Sequence, residues 1–121
     1  MTDLGQFDAI QVLYLTTLGR VSGLPRTIEI WFVAYQGCLY LLAEHGHQTN
    51  WVKNINADPH VYIRIAGQEL DARGRVLDPI IDLDLLRTIQ NLARQKYGWG
   101  EGLPVQLTPA KGPSDESVIS E

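Results

Sequence analysis

Several common readings fail for want of the residues they need. Cys38 is the single cysteine, so no disulfide can form within the chain. Inside an apolar stretch it reads as a buried, inert thiol. No apolar run approaches the roughly 20 residues of a membrane-spanning helix. The opening MTDLGQFDAI has neither the basic n-region nor the apolar core of a secretory leader, so a cytoplasmic protein is expected. Cations are outnumbered, 10 Lys and Arg against 14 Asp and Glu, and the pI is near 5.3. That balance argues against general affinity for nucleic acid or anionic membrane, since both require a basic surface. No internal repeat, Walker or Rossmann glycine pattern or Ser-His-Asp arrangement is present. His45 and His47 form an HxH pair, but no Cys or carboxylate cluster completes a zinc spacing, so no metal site is expected.

What remains is the material of one ordinary domain. With 121 residues, 45% of them hydrophobic, the chain can bury roughly two thirds of its unfolded surface without disulfides or a structural metal. A single domain over residues 1–109 is expected. The polar, turn-rich AKGPSDESVISE from Ala110 to Glu121 reads as a poorly ordered tail.

Hydrophobic alternation gives six strands. Val12 to Leu18 is the first, after a short N-terminal segment that can be helical. Thr27 to Tyr35 is the clearest, with Ile28, Ile30, Phe32 and Ala34 on one face. Its other face carries Trp31, Val33 and Tyr35 and calls for a partner chain, another layer, a flat ligand or burial within the chain. A turn at Gln36-Gly37 leads to Cys38–Ala43, apolar on both faces and therefore central. Val61–Ile65 and Leu70–Leu77 form a hairpin around Ala66-Gly67-Gln68, and a last strand lies near Val105–Leu107. Two helices interrupt them. A short one, capped by Thr49 or Asn50, runs to about Ala57. A longer one starts at Asp78-Pro79 and runs to about Tyr97, with Ile81, Leu85, Ile89, Leu92 and Ala93 as its apolar stripe. Short strands with few helices point to a mainly β small barrel or sandwich.

Two stretches can carry chemistry. In LTTLGRVSGLPRTIEIWF, residues 15–32, glycines let backbone amides converge on an anion, and Arg20, Ser22 and Arg26 add donors suited to phosphate; the same arginines can also simply flank a solvated hairpin. In EHGHQTNWVKNINADP, residues 44–59, a loop runs into a helix N-terminus, where free amides suit an anion or a ring carbonyl, although an ordinary strand-to-helix connection reads the same way. Trp51 can stack on a flat ligand or fill the core.

Together with the later QKYGW, these stretches resemble the deazaflavin-dependent nitroreductases, also called flavin/deazaflavin oxidoreductases, over roughly residues 14–107. The family shows a TTxGRKSGxxR segment and a W-x-x-N-x-x-A-x-P segment, and Trp51 to Pro59 matches the latter in full. The resemblance implies a split β-barrel, usually a homodimer, that binds the deazaflavin F420 or, in some branches, FMN. It places Arg20, Val21, Ser22, Arg26, Thr27, Ile28, Glu29, Ile30 and Trp31 against the cofactor, completed by Leu42, Ala43, Glu44, His45, Asn50, Trp51, Val52, Lys53 and Asn54. It further implies hydride transfer to a small electrophilic acceptor such as a quinone, nitro compound or activated enone. An FMN-dependent reductase and a non-catalytic cofactor-binding protein are the alternatives. No residue takes an acid or base role. Two positions depart from the pattern: Val21 replaces the usual lysine of GRKSG, and Glu44-His45 replaces a serine and a lysine. Both changes remove cations from the side expected to meet phosphate.

Overall fold

Hydrogen bonding divides what alternation reads as the clearest strand. In the computed structural model, which describes residues 4–110, β1 (Val12–Leu18) pairs with β2 (Pro25–Trp31), while β3 (Val33–Tyr35) pairs with β4 (Cys38–Ala43). Phe32 alone separates β2 from β3. With β5 (His60–Ile65), β6 (Gln68–Val76) and β7 (Leu103–Pro109), the order across the sheet is β2-β1-β5-β6-β7-β4-β3, antiparallel at every step. There are thus seven strands rather than six. Because the two outermost strands are joined through one residue, the sheet must curl back on itself, and the result is a split β-barrel. All but the first residue of the expected tail lies outside the described residues.

Alternation along the strands fills the barrel. Leu13 and Leu15 of β1, Leu39 and Leu41 of β4, Val61, Ile63 and Ile65 of β5, Ala72 of β6 and Val105 and Leu107 of β7 are fully buried around Phe32 and Phe7. The hairpin turns Gln36-Gly37 and Ala66-Gly67 have two consecutive positive φ angles each, 47° and 81°, then 51° and 81°. That geometry suits the twist of the flanking strands.

Helix α1 (Asn50–Ala57) closes one end of the barrel with Val52 and Ile55. Its seat depends on Gly74 in β6, where a Cβ would lie 2.8 Å from Ile55 Cγ2. Thr49 occupies the N-cap position, but its side chain makes no capping hydrogen bond, contrary to expectation.

The long helix, α2 (Leu83–Tyr97), also differs from the sequence reading. Asp78 opens a separate turn, its carboxylate accepting from the amides of Ile80 at 2.7 Å and Ile81 at 3.0 Å. The Asp82 carboxylate bonds Arg75 and the Asp78 amide, both at 2.8 Å, and so does not cap the helix that follows. Ile81 consequently lies on that turn, 83% exposed, and is no part of the packing stripe. Leu85, Ile89, Leu92 and Ala93 form the stripe and cover Val33, Tyr40 and Leu77 on the outside of the sheet. This second layer accounts for Val33 and Tyr35, but it leaves Trp31 47% exposed.

Candidate functional site

The turn between β1 and β2 is held by its own backbone and by a residue of α1. Gly23, at φ 73°, donates to the Gly19 carbonyl, and Gly19 donates to Leu24 O, each at 2.8 Å. A Cβ on buried Gly19 would sit 2.7 Å from Ser22 Oγ and 3.1 Å from Leu24 O, so a larger residue would have to displace Ser22 and loosen the turn. Asn54, 5% exposed, reaches across from α1. Its Oδ1 accepts from the Arg20 amide at 3.2 Å and the Arg20 guanidinium at 2.9 Å, and its Nδ2 donates to Thr17 Oγ1 at 3.1 Å. Ser22 Oγ accepts from the Leu24 amide at 3.1 Å, which leaves its proton available. Arg20 and Arg26 are exposed, and no carboxylate pairs with either among the described residues.

These residues line a recess of about 500 Å³ that includes Thr17, Arg20, Val21, Ser22, Arg26, Asn50 and Asn54. A larger recess of about 970 Å³ lies beside it, bounded by Glu29, Ile30, Trp31, Leu42, Glu44, His45, Thr49, Tyr97 and Trp99 among others. Ile28 and Trp51 line both, so the two form one groove along β2, cationic at the turn and aromatic at the far end.

The aromatic end is built where the strand breaks. Trp31 stacks on Tyr97 with ring centroids 4.6 Å apart and planes 4° from parallel. The Tyr97 hydroxyl accepts from the Phe32 amide at 3.1 Å and lies within hydrogen-bond reach of the Phe32 and Gln11 carbonyls, to which it has one proton to give. Lys96 Nζ donates to Ile10 O at 2.6 Å and Phe32 O at 3.2 Å and sits 4.2 Å from the Phe32 ring centre. The backbone groups freed by the break are therefore satisfied by the last turn of α2. Burial pushes the Tyr97 hydroxyl above the usual phenol range against the hydrogen bond from Phe32, and it pushes Lys96 below the usual ammonium range against the pull of Asp8.

Of the residues expected from sequence, Arg20, Val21, Ser22, Arg26, Ile28, Glu29, Ile30, Trp31, Leu42, Glu44, His45, Asn50, Trp51 and Asn54 line the groove. Four stand elsewhere. Ala43 and Val52 are buried in the barrel core, and Thr27 faces another recess, its hydroxyl 2.7 Å from that of Thr16. Lys53 is half-buried on α1, outside the lining. Thr49, Tyr97 and Trp99 line the groove without having been assigned to it. The sequence signals were the QKYGW stretch for Tyr97 and Trp99 and the candidate N-cap position for Thr49. Thr49 Oγ1 is buried and has no hydrogen-bond partner among the described residues. Among the described residues, no cluster of His, Cys, Asp or Glu could hold a metal.

A split barrel with a groove that is basic at one end and aromatic at the other suits a flat ligand that carries an anionic group. The chain belongs to the F420H(2)-dependent quinone reductase family, whose model matches residues 2–99, and its cofactor is F420. Solved structures share the fold. A protein described as a pyridoxamine 5'-phosphate oxidase from Listeria innocua is similar at 17% identity and a TM-score of 0.71, over 89% of this chain and 90% of that one. The heme storage protein HutZ from Vibrio cholerae is similar at 18% and 0.69, over 90% and 89%. An F420-H2 dependent reductase is similar at 22% and 0.64, over 81% and 93%.

Proposed function

We propose that this chain, as a homodimer, reduces a quinone or a comparable small electrophile such as a nitro compound or activated enone. The observation that carries the reading is that two recesses adjoin: a turn that offers cationic donors and an apolar, aromatic recess share Ile28 and Trp51 in their walls. The residues suit the cofactor chemically. Arg20 and Arg26, which keep guanidinium N–H groups beyond the bonds to Asn54 Oδ1 and Ser22 Oγ, and the Ser22 hydroxyl offer donors to its phosphate, while Trp31, Trp51 and Leu42 offer apolar walls to its ring. The unpartnered hydroxyl of Thr49 marks a polar group in that wall with unmet hydrogen-bonding capacity. When bound in its reduced form, F420 supplies the hydride. The side chains orient ring and acceptor and exclude water from between them. Among the described residues, no helix is long and apolar enough to cross a membrane.

Fluorescence titration of the purified protein with F420 tests the reading. Saturable binding in the micromolar range is expected, followed by rapid oxidation of bound, reduced cofactor when a naphthoquinone is added. Light scattering on the same sample should give the mass of a dimer. No binding up to high micromolar concentration would sink the proposal, and flavin absorbance in the protein as purified would move it to FMN.

A further inference from the structure

The groove separates charge along its length. Both guanidinium groups that line it, Arg20 and Arg26, belong to the turn end, and no carboxylate accompanies them there. The aromatic end has the opposite character, and Glu44 and His45, expected on the phosphate side, belong to it rather than to the turn. Its charged lining residues are Glu29 and Glu44, both exposed, with His45 beside them. Among the described residues, no cation or hydrogen-bond donor pairs with either carboxylate. Lys96, the cation on the neighbouring helix end, is engaged by the carbonyls of Ile10 and Phe32. Glu29 and Glu44 are exposed residues in the lining of a recess walled by Trp31, Trp51, Tyr97 and Trp99, and a charge beside such low-dielectric walls acts more strongly than one in open water.

We propose that the aromatic end admits uncharged or cationic acceptors and rejects anionic ones, and that Glu29 and Glu44 set this selectivity. The inference rests on the reading of the chain as a reductase of small electrophiles and names the charge class of its acceptor. An exposed unit charge beside another is worth a few tenths of a kcal/mol to about one. Each carboxylate should therefore disfavour an anion by roughly two- to fivefold at low salt.

The test compares a neutral naphthoquinone with its sulfonated analogue, in wild type and in Glu29→Gln and Glu44→Gln, at pH 8, where histidine side chains in general are uncharged. The ratio of kcat/KM for the sulfonated over the neutral quinone removes differences in cofactor loading. Comparing that ratio between variants removes the intrinsic electronic effect of the sulfonate. The ratio should rise about two- to fivefold in each variant, rise further in the double variant, and approach the variants' value in wild type at high salt. Glu69→Gln, on β6 outside the groove, should leave it unchanged. Quenching of tryptophan fluorescence by the same two quinones, without reduced cofactor, reads the discrimination in binding alone. A protein that reduces neither quinone but still binds them with this charge preference would overturn the reductase reading and keep the selectivity. Ratios insensitive to both substitutions and to salt, in turnover and in binding, would overturn the selectivity itself.

Discussion

The two ends of the groove are held in different ways. The turn end depends on Asn54, a single buried amide whose three hydrogen bonds fix Arg20 and Thr17. Its guanidinium groups remain in water, so their contribution is electrostatic and sensitive to salt. The aromatic end is a load on the fold: Tyr97 and Lys96 satisfy the backbone at the strand break, and the face of the same tyrosine supports Trp31. Damage at the first end should therefore appear in cofactor affinity, and damage at the second in stability.

The largest expected effect breaks the aromatic end. Tyr97→Leu strands the buried Phe32 amide and removes the ring stack, costing about 3 kcal/mol, whereas Tyr97→Phe keeps the stack and should cost about half as much. Denaturant unfolding of both variants reads the difference; equal, small losses would mean that the hydroxyl and the stack do not hold the break. Next, Arg20→Ala should weaken F420 binding by about 10- to 100-fold, the worth of a charge-assisted hydrogen bond. The unfolding midpoint should barely move, because Asn54 keeps the Arg20 amide. Fluorescence titration beside a thermal melt separates the two outcomes, and a collapse in stability would erase the contrast between the ends. The smallest effect sharpens the comparison from the other side. Val21 is 91% exposed on the turn, so Val21→Lys should tighten F420 binding by no more than about fivefold, the worth of an exposed ion pair. The gain should disappear at high salt, and a gain that survives would point to a contact other than charge.

The same contrast explains what could be read beforehand. The turn end was legible because its chemistry lies in contiguous motifs: the glycines that bend residues 19–24, the arginines beside them, and Trp51 and Asn54 on the first turns of α1. The aromatic end was legible only in part: Glu29, Ile30, Trp31, Leu42, Glu44 and His45 were expected against the cofactor, but not the strand break or the residues that α2 brings to it. Phe32 and Val33, both buried, continue the alternation of a single strand, since a period of two records which face a side chain takes and not which neighbour its backbone pairs with. Tyr97 and Trp99 stand more than sixty residues from Trp31, and nothing local to YGW shows where the end of α2 will dock. Asp78-Pro79 is a true turn signal, but its aspartate serves the turn before the helix, with Asp82 committed to Arg75. Ala43 and Val52 lie within motif segments yet face inward, as the alternation of β4 and the helical period of α1 require.

The place of β7 in the sheet bears on how the chain acquires its shape. This last strand lies between β6 and β4, and it supplies the ladder partners of both. Until Leu103–Pro109 is available, β4 and β6 each present a bare row of amides and carbonyls, while the β1–β2 and β5–β6 hairpins can already form from near neighbours. Closure should thus be the late, slow event in folding, since it must bring together segments some sixty residues apart. During synthesis, a chain that has made its cofactor-facing turn and both helices still has two more open edges, β4 and β6, than the finished sheet, each capable of pairing with another molecule.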